Sequence, residues 1–227
     1  LEQCAFLHEF GKANLRKGTA MRSDTIVRLY SMTKAFVAVS VLRMAERGLL
    51  SLDDELHIHL SEPIAARFRA PRVSSEKAPG ATIPAKSAIT IRQLLTHTSG
   101  IGSDIATGLD ALTRKRGRWE GMYEGLTSAV DAGQIKSISS FIEALAELPL
   151  WQHPGREFYY SYGYDVLGYL LECKSGHSLD EVLRREVFEP LAMADTGFSV
   201  PEDRAARLAP LYRMTKSRRF GADGVRA

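Results

Sequence analysis

"YSMTKAFVAVSVLRMAERGLL", residues 30–50, sets a hydroxyl, Ser31, three residues before an amine, Lys34, at the mouth of a long apolar run. From Met32 to Leu50 apolar residues fall on every helical face (Phe36, Val37, Val39, Val41, Leu42, Met44). This is the pattern of a helix buried on all sides, and Gly48 is its stop signal. Side chains three apart share a helix face with Cβ atoms about 5–6 Å apart, so hydroxyl and amine can meet. A serine hydroxyl is a weak nucleophile until a base takes its proton, and a lysine serves as that base when desolvation disfavours its ammonium form. The helix N-terminus adds free N–H groups and a positive field that suit an oxyanion forming beside Ser31. A purely structural reading competes: Ser31 and Thr33 cap the helix while Lys34 snorkels to solvent. On these residues alone the two readings are evenly matched.

The S-x-x-K pattern is weak by itself, since the chain contains it twice. The second copy, Ser74 to Lys77, lies in a polar, Pro-rich stretch with no helix to hold its geometry and is read as incidental. A further group of chemically able residues stands in "FYYSYGYDVLG", 158–168, where Tyr159, Tyr160, Tyr162 and Tyr164 crowd a helix start. A tyrosine beside a lysine can carry a proton to and from a serine oxygen. Taken singly, each of the four is more often a packed core ring.

With 44% hydrophobic and 25% charged residues, the 227-residue chain has the makings of one large domain or two intergrown lobes. The net charge is +3, and the basic clusters "RKRGR" (114–118) and "KSRR" (216–219) lack interleaved aromatics. They read as solvated loops, and no nucleic-acid partner is expected. Cys4 and Cys173 have neither a CxxC partner nor ligand spacing, which indicates no zinc site and no disulfide framework. "HIH" (57–59) reads as exposed loop histidines rather than a metal pair. No apolar run reaches the length of a bilayer span. The chain starts without methionine and stops in a Gly/Arg-rich stretch, so a fragment is expected. A G-x-S-x-G elbow, H-E-x-x-H, a Walker A loop and a helix-opening G-x-G-x-x-G are all absent.

Residues 1–29 read as short strands about a turn, "CAFLHEF" and "TIVRLY" among them. The segment 61–88 reads as an irregular surface excursion, and 98–138 as loops with short helical pieces. Capping boxes are expected at Thr90/Gln93, Ser140/Glu143 and Ser178/Glu181. Val166, Leu167, Leu170 and Leu171 predict a helix that ends at Gly176. The body of the chain is thus mostly helical.

The blocks "GKANLRKGTAMRSDTIVRLYSMTKAF", "AERGLLSLDDEL", "ITIRQLLTHTSGI", "HPGREFYYSYGYDVLGYLLE" and "VFEPLAMADTGF" together resemble the serine β-lactamase and penicillin-binding-protein superfamily, its class C-like carboxylesterases above all. They stand in the family's order and span most of the chain. The resemblance implies an α/β (α+β) fold of the β-lactamase/transpeptidase type, an antiparallel sheet made from both chain ends against a helical lobe. It implies one domain over 1–227: N-terminal strands (1–30), the nucleophile helix and following segment (31–60), helical lobe and loops (61–160), and helices returning toward the sheet (161–227). It implies Ser31 as acyl-accepting nucleophile, Lys34 as its base and Tyr160 as the tyrosine of the Y-x-N motif, with no metal or organic cofactor. His97, in the "LLTHTSG" block, is read as structural.

Two departures shape the functional expectation. Tyr162 occupies the place of the asparagine that would hold a substrate amide, which resembles the esterase branch and leaves Tyr162 as a substrate-binding position. No K-T-G, H-x-G or W-x-G follows Tyr160, so the chain resembles the N-terminal two-thirds of the fold without its C-terminal strands. The expected function is a serine hydrolase, a carboxylesterase acting on small esters through an acyl-enzyme. The alternatives are a β-lactamase or D-alanyl peptidase acting on amides, or a catalytically silent fragment that binds a ligand.

Overall fold

The computed structural model describes residues 6–75, 80–103, 123, 125–214 and 220–222. The described residues form helices and three two-stranded antiparallel sheets, the expected α/β class. They fall into two units, one drawn from 1–32 and 193–227 and one from 33–192.

The first unit joins sequence-distant segments by backbone pairing. A hairpin of β1 (Lys12–Asn14) and β2 (Thr19–Ala20) comes from within the stretch expected to be turn. "TIVRLY" forms no strand; Ile26 alone bridges in parallel to Leu208, its N–H donating to Arg207 O at 2.9 Å and its carbonyl accepting from Ala209 N at 2.9 Å. The Tyr212 hydroxyl accepts from Leu15 N at 2.7 Å. Segments near both chain ends thus meet in one unit, by an isolated parallel bridge rather than through an antiparallel sheet among the described residues. Tyr212–Met214 pairs antiparallel with Phe220–Ala222, and the basic clusters "KSRR" and "RKRGR" lie outside the described residues.

In the second unit, α1 (Thr33–Glu46) follows directly on a 3₁₀ turn at Tyr30–Met32. Val37, Ser40, Val41 and Met44 are its buried face. Val39 and Leu42 are 43% and 44% exposed, so the expectation of a helix buried all round holds for one face only. Gly48, at φ +70°, ends it as expected. α2 (Ile64–Arg69) and the hairpin β3 (Arg72–Ser74) with β4 (Thr82–Pro84) occupy the segment expected to be irregular. The correction has a simple cause: Ile64, Ala65 and Phe68 bury one side of a short helix, and Val73 is bridged to Leu150. The "HIH" residues lie in a 3₁₀ turn, not an exposed loop, and the His59 ring is held by Asp54 at 2.8 Å.

α3 (Ile91–Leu95) carries the Thr90/Gln93 capping box in full. α4 (Leu126–Asp131) is one of the short helical pieces expected in 98–138, about half of which lies outside the described residues. α5 (Ile138–Ala146) starts one turn earlier than its expected cap: the box is Ser137 with Ser140, whose hydroxyl accepts from Ser137 N at 3.1 Å. At α7 (Leu179–Leu183) Ser178 caps Glu181 N, but the Glu181 carboxylate pairs with Arg184 instead of closing the box. The centre of this unit is α6 (Gly163–Ser175), packed against α1, α3, α5 and α7. Val166, Leu167, Leu170 and Leu171 on it are fully buried, each contributing about 2 kcal/mol of transfer free energy. This helix fixes where Tyr160 and Tyr162, just before it, can point.

Candidate active site

Ser31 is exposed, in the 3₁₀ turn of the first unit, where Met32 N donates to Leu29 O at 3.1 Å. The preceding Tyr30 holds φ +47°, a left-handed conformation that a bulky L-residue adopts only under constraint. Lys34 begins the second unit in the first turn of α1.

Within the second unit the fold brings Lys34 and Tyr160 together: Lys34 Nζ stands 4.9 Å from the centroid of the Tyr160 ring. That is cation–π range, in which the ring face attracts the ammonium. Tyr162 points elsewhere. It is 5% exposed, its ring meets Phe141 edge-on at 5.1 Å, and its hydroxyl is 3.1 Å from Thr127 Oγ1. As a substrate-binding position it therefore offers little surface. Ser74, of the second S-x-x-K pattern, is buried in β3 with its N–H on Leu150 O, and Lys77 lies outside the described residues.

His97, read from the sequence as structural, lies buried beside the Tyr160 ring. It is 8% exposed at φ +54°, and its ring lies 4.8 Å from Tyr160, 5.0 Å from Tyr164 and 5.7 Å from Phe158 between centroids. Ser161 N donates to His97 Nδ1 at 3.2 Å. An amide N–H only donates, so Nδ1 is bare and the neutral ring carries its proton on Nε2. Burial first, and the Lys34 charge second, lower the imidazole to about 4. Burial likewise raises the Tyr164 phenol, whose hydroxyl donates to Leu95 O at 3.0 Å. Desolvation raises the Asp165 carboxyl against the opposing pull of Lys34. No motif marks the His97 role; only its place in "LLTHTSG" singled it out.

The depressed imidazole carries a stability consequence. Between about pH 6.5 and pH 4 the unfolded chain protonates His97 while the folded ring stays neutral, so stability falls as the pH drops through that window. Allowing for solvent screening, the loss is about 2 kcal/mol. Urea unfolding at pH 7 and pH 4.5 checks it: His97→Asn should lose less stability than the parent by that amount, and an identical pH dependence would contradict the assignment.

Among the described residues no helix is long and apolar enough to cross a membrane. Residues 3–227 match the family model described as Beta-lactamase. Esterase EstB of Burkholderia gladioli is 34% identical over 188 residues, which is 83% of this chain and 42% of EstB. The structure of EstCE1, a hydrolase with promiscuous acyltransferase activity, superposes with a TM-score of 0.69 at 29% identity, covering 95% of this chain and 50% of EstCE1. Unliganded simvastatin synthase LovD from Aspergillus terreus superposes with a TM-score of 0.69 at 28% identity, covering 94% of this chain and 51% of LovD. The chain spans about half the length of the curated relatives it matches, against the two-thirds expected from its motifs.

Proposed function

The chain belongs to the Beta-lactamase family, and on that premise we propose that it supplies the Ser31, Lys34 and Tyr160 of a serine hydrolase that cleaves small carboxylic esters. Its fold is of the β-lactamase/transpeptidase type, as the motifs implied. The observation that carries the reading is the approach of Lys34 Nζ to the Tyr160 ring, which gathers two proton-handling groups, one of them, Lys34, three residues after Ser31 in the chain.

In this mechanism Lys34 accepts the Ser31 proton as Oγ attacks the acyl carbon and the carbonyl electron pair moves onto oxygen. The Ser31 N–H, at the start of the helical run, stabilises that oxyanion. The carbon–oxygen bond to the alcohol then breaks, and the alcohol leaves with the proton returned through Tyr160 and Lys34. Water repeats the sequence on the acyl-enzyme and releases the acid and Ser31. Tyr162, spent in the core on Phe141 and Thr127, leaves this position without an amide group of the kind that holds a peptide or β-lactam. The names of the relatives Esterase EstB and lovastatin esterase point the same way, toward ester substrates.

The test is a side-by-side assay of p-nitrophenyl acetate and nitrocefin on the protein at its full natural length. Ester turnover should exceed nitrocefin turnover by at least tenfold in kcat/KM, and the reverse preference would overturn the ester assignment in favour of amide chemistry.

A further inference from the structure

We infer that His97 is a positioning residue for Tyr160: it holds the phenol ring and its backbone in place while Lys34 also meets the ring. The inference rests on the reading of Tyr160 as the proton carrier of the site. Its own support is geometric and lies wholly within the second unit.

Tyr160 is clamped from both sides along the backbone by this one residue. Tyr159 N donates to the His97 carbonyl at 2.7 Å, and Ser161 N donates to His97 Nδ1 at 3.2 Å. The amides on either side of Tyr160 therefore end on the main chain and the side chain of a single histidine. Both bonds are made with His97 in a left-handed conformation, φ +54°, its carbonyl and imidazole serving the same short segment. The imidazole then lies against the Tyr160 ring at 4.8 Å with a 30° tilt. Phe158 and Tyr164 hold the imidazole in turn, at 5.7 and 5.0 Å. The bond from Ser161 leaves Nδ1 without a proton, and burial first and Lys34 second favour the neutral ring.

A histidine that only filled core space would need neither the two flanking bonds nor the ring contact with Tyr160. The arrangement has the form of a support: a reactive group whose rotamer and backbone are both held by a second residue keeps its geometry through the reaction. Displacing a catalytic group by about 1 Å costs on the order of 100-fold in rate.

Asparagine separates the parts of the role. It tolerates positive φ and its side-chain oxygen can accept from Ser161 N, but it has no ring to set against Tyr160. In the protein at its full natural length, His97→Asn should lower kcat for p-nitrophenyl acetate about 10- to 100-fold with KM changed less than about twofold. The double variant His97→Asn/Tyr160→Phe should be no slower than Tyr160→Phe alone, because the histidine acts through the tyrosine. A multiplicative loss in the double variant, or an unchanged kcat in folded His97→Asn, would overturn the proposal. Should His97→Asn not fold, His97→Gln in the same cycle decides by the same criteria, and Ser161→Pro, which removes the donated N–H, reads the clamp independently through the same loss of kcat. If Tyr160→Phe itself turns over at the parental rate, it is the role of Tyr160 that fails, and the His97 inference falls with it.

Discussion

Ser31→Ala is expected to abolish both p-nitrophenyl acetate hydrolysis and labelling by a fluorophosphonate probe, with loss of at least 1000-fold in turnover. Covalent catalysis through a hydroxyl has no substitute when the oxygen is removed, and residues that act as a unit lose nearly the whole rate when one is deleted. The Ser31 turn is exposed and the substitution removes one atom, so the fold should be unaffected. Lys34→Met should approach the same loss, since it removes the base while keeping an unbranched side chain against Tyr160. Ser74→Ala is the matched control: it also belongs to an S-x-x-K pattern, but its buried place in β3 keeps it from reagent. Intact mass after probe treatment reads the outcome directly. One adduct, lost in Ser31→Ala and kept in Ser74→Ala, establishes the nucleophile. Turnover in Ser31→Ala at the parental rate would refute the mechanism, and no adduct on the folded parent would favour a silent binding protein.

Gly100→Ala should destabilise the second unit by about 3–5 kcal/mol, a large part of an ordinary domain's stability. A Cβ at this position would lie 2.1 Å from the Gln152 carbonyl oxygen and 3.1 Å from its carbon, and backbone cannot swing aside as a side-chain tip does. Gly100 also sits at φ +83°, and its own carbonyl accepts from Trp151 N at 2.8 Å. Strain and clash therefore add. Gly48→Ala separates them, because Gly48 has φ +70° but open space around its missing Cβ, and should cost only about 1 kcal/mol. In urea unfolding, a Gly100→Ala variant within 1 kcal/mol of the parent would contradict this packing. The consequence reaches the site, since the tie between Gly100 and Trp151 anchors the chain that leads to Tyr160.

Features set by near neighbours in the chain were legible from residues alone. The Thr90/Gln93 box forms because hydroxyl, amide and backbone lie within one turn, so no distant contact can override it. The α6 stripe was legible because its period of burial is written in the apolar spacing. Where two local solutions compete, reading failed: Ser137 and Ser140 cap each other, while Glu143 goes to Ser139. The excursion at 61–88 was misread for a different reason. Its order comes from burying Phe68 and from bonding β3 to Leu150, partners far along the chain.

The same division holds for function. In the sequence, the Ser31/Lys34 spacing left an activated serine and a helix cap evenly matched, and it was the ordered blocks resembling the family that singled out Ser31, Lys34 and Tyr160 as the candidate chemistry. Tertiary structure alone decided that Lys34 meets the face of Tyr160, that Tyr162 turns into the core, and that the His97 ring lies against Tyr160. Those three outcomes depend on how α1, α3 and α6 pack, and helix packing is set by the shapes of buried faces, which no local spacing encodes.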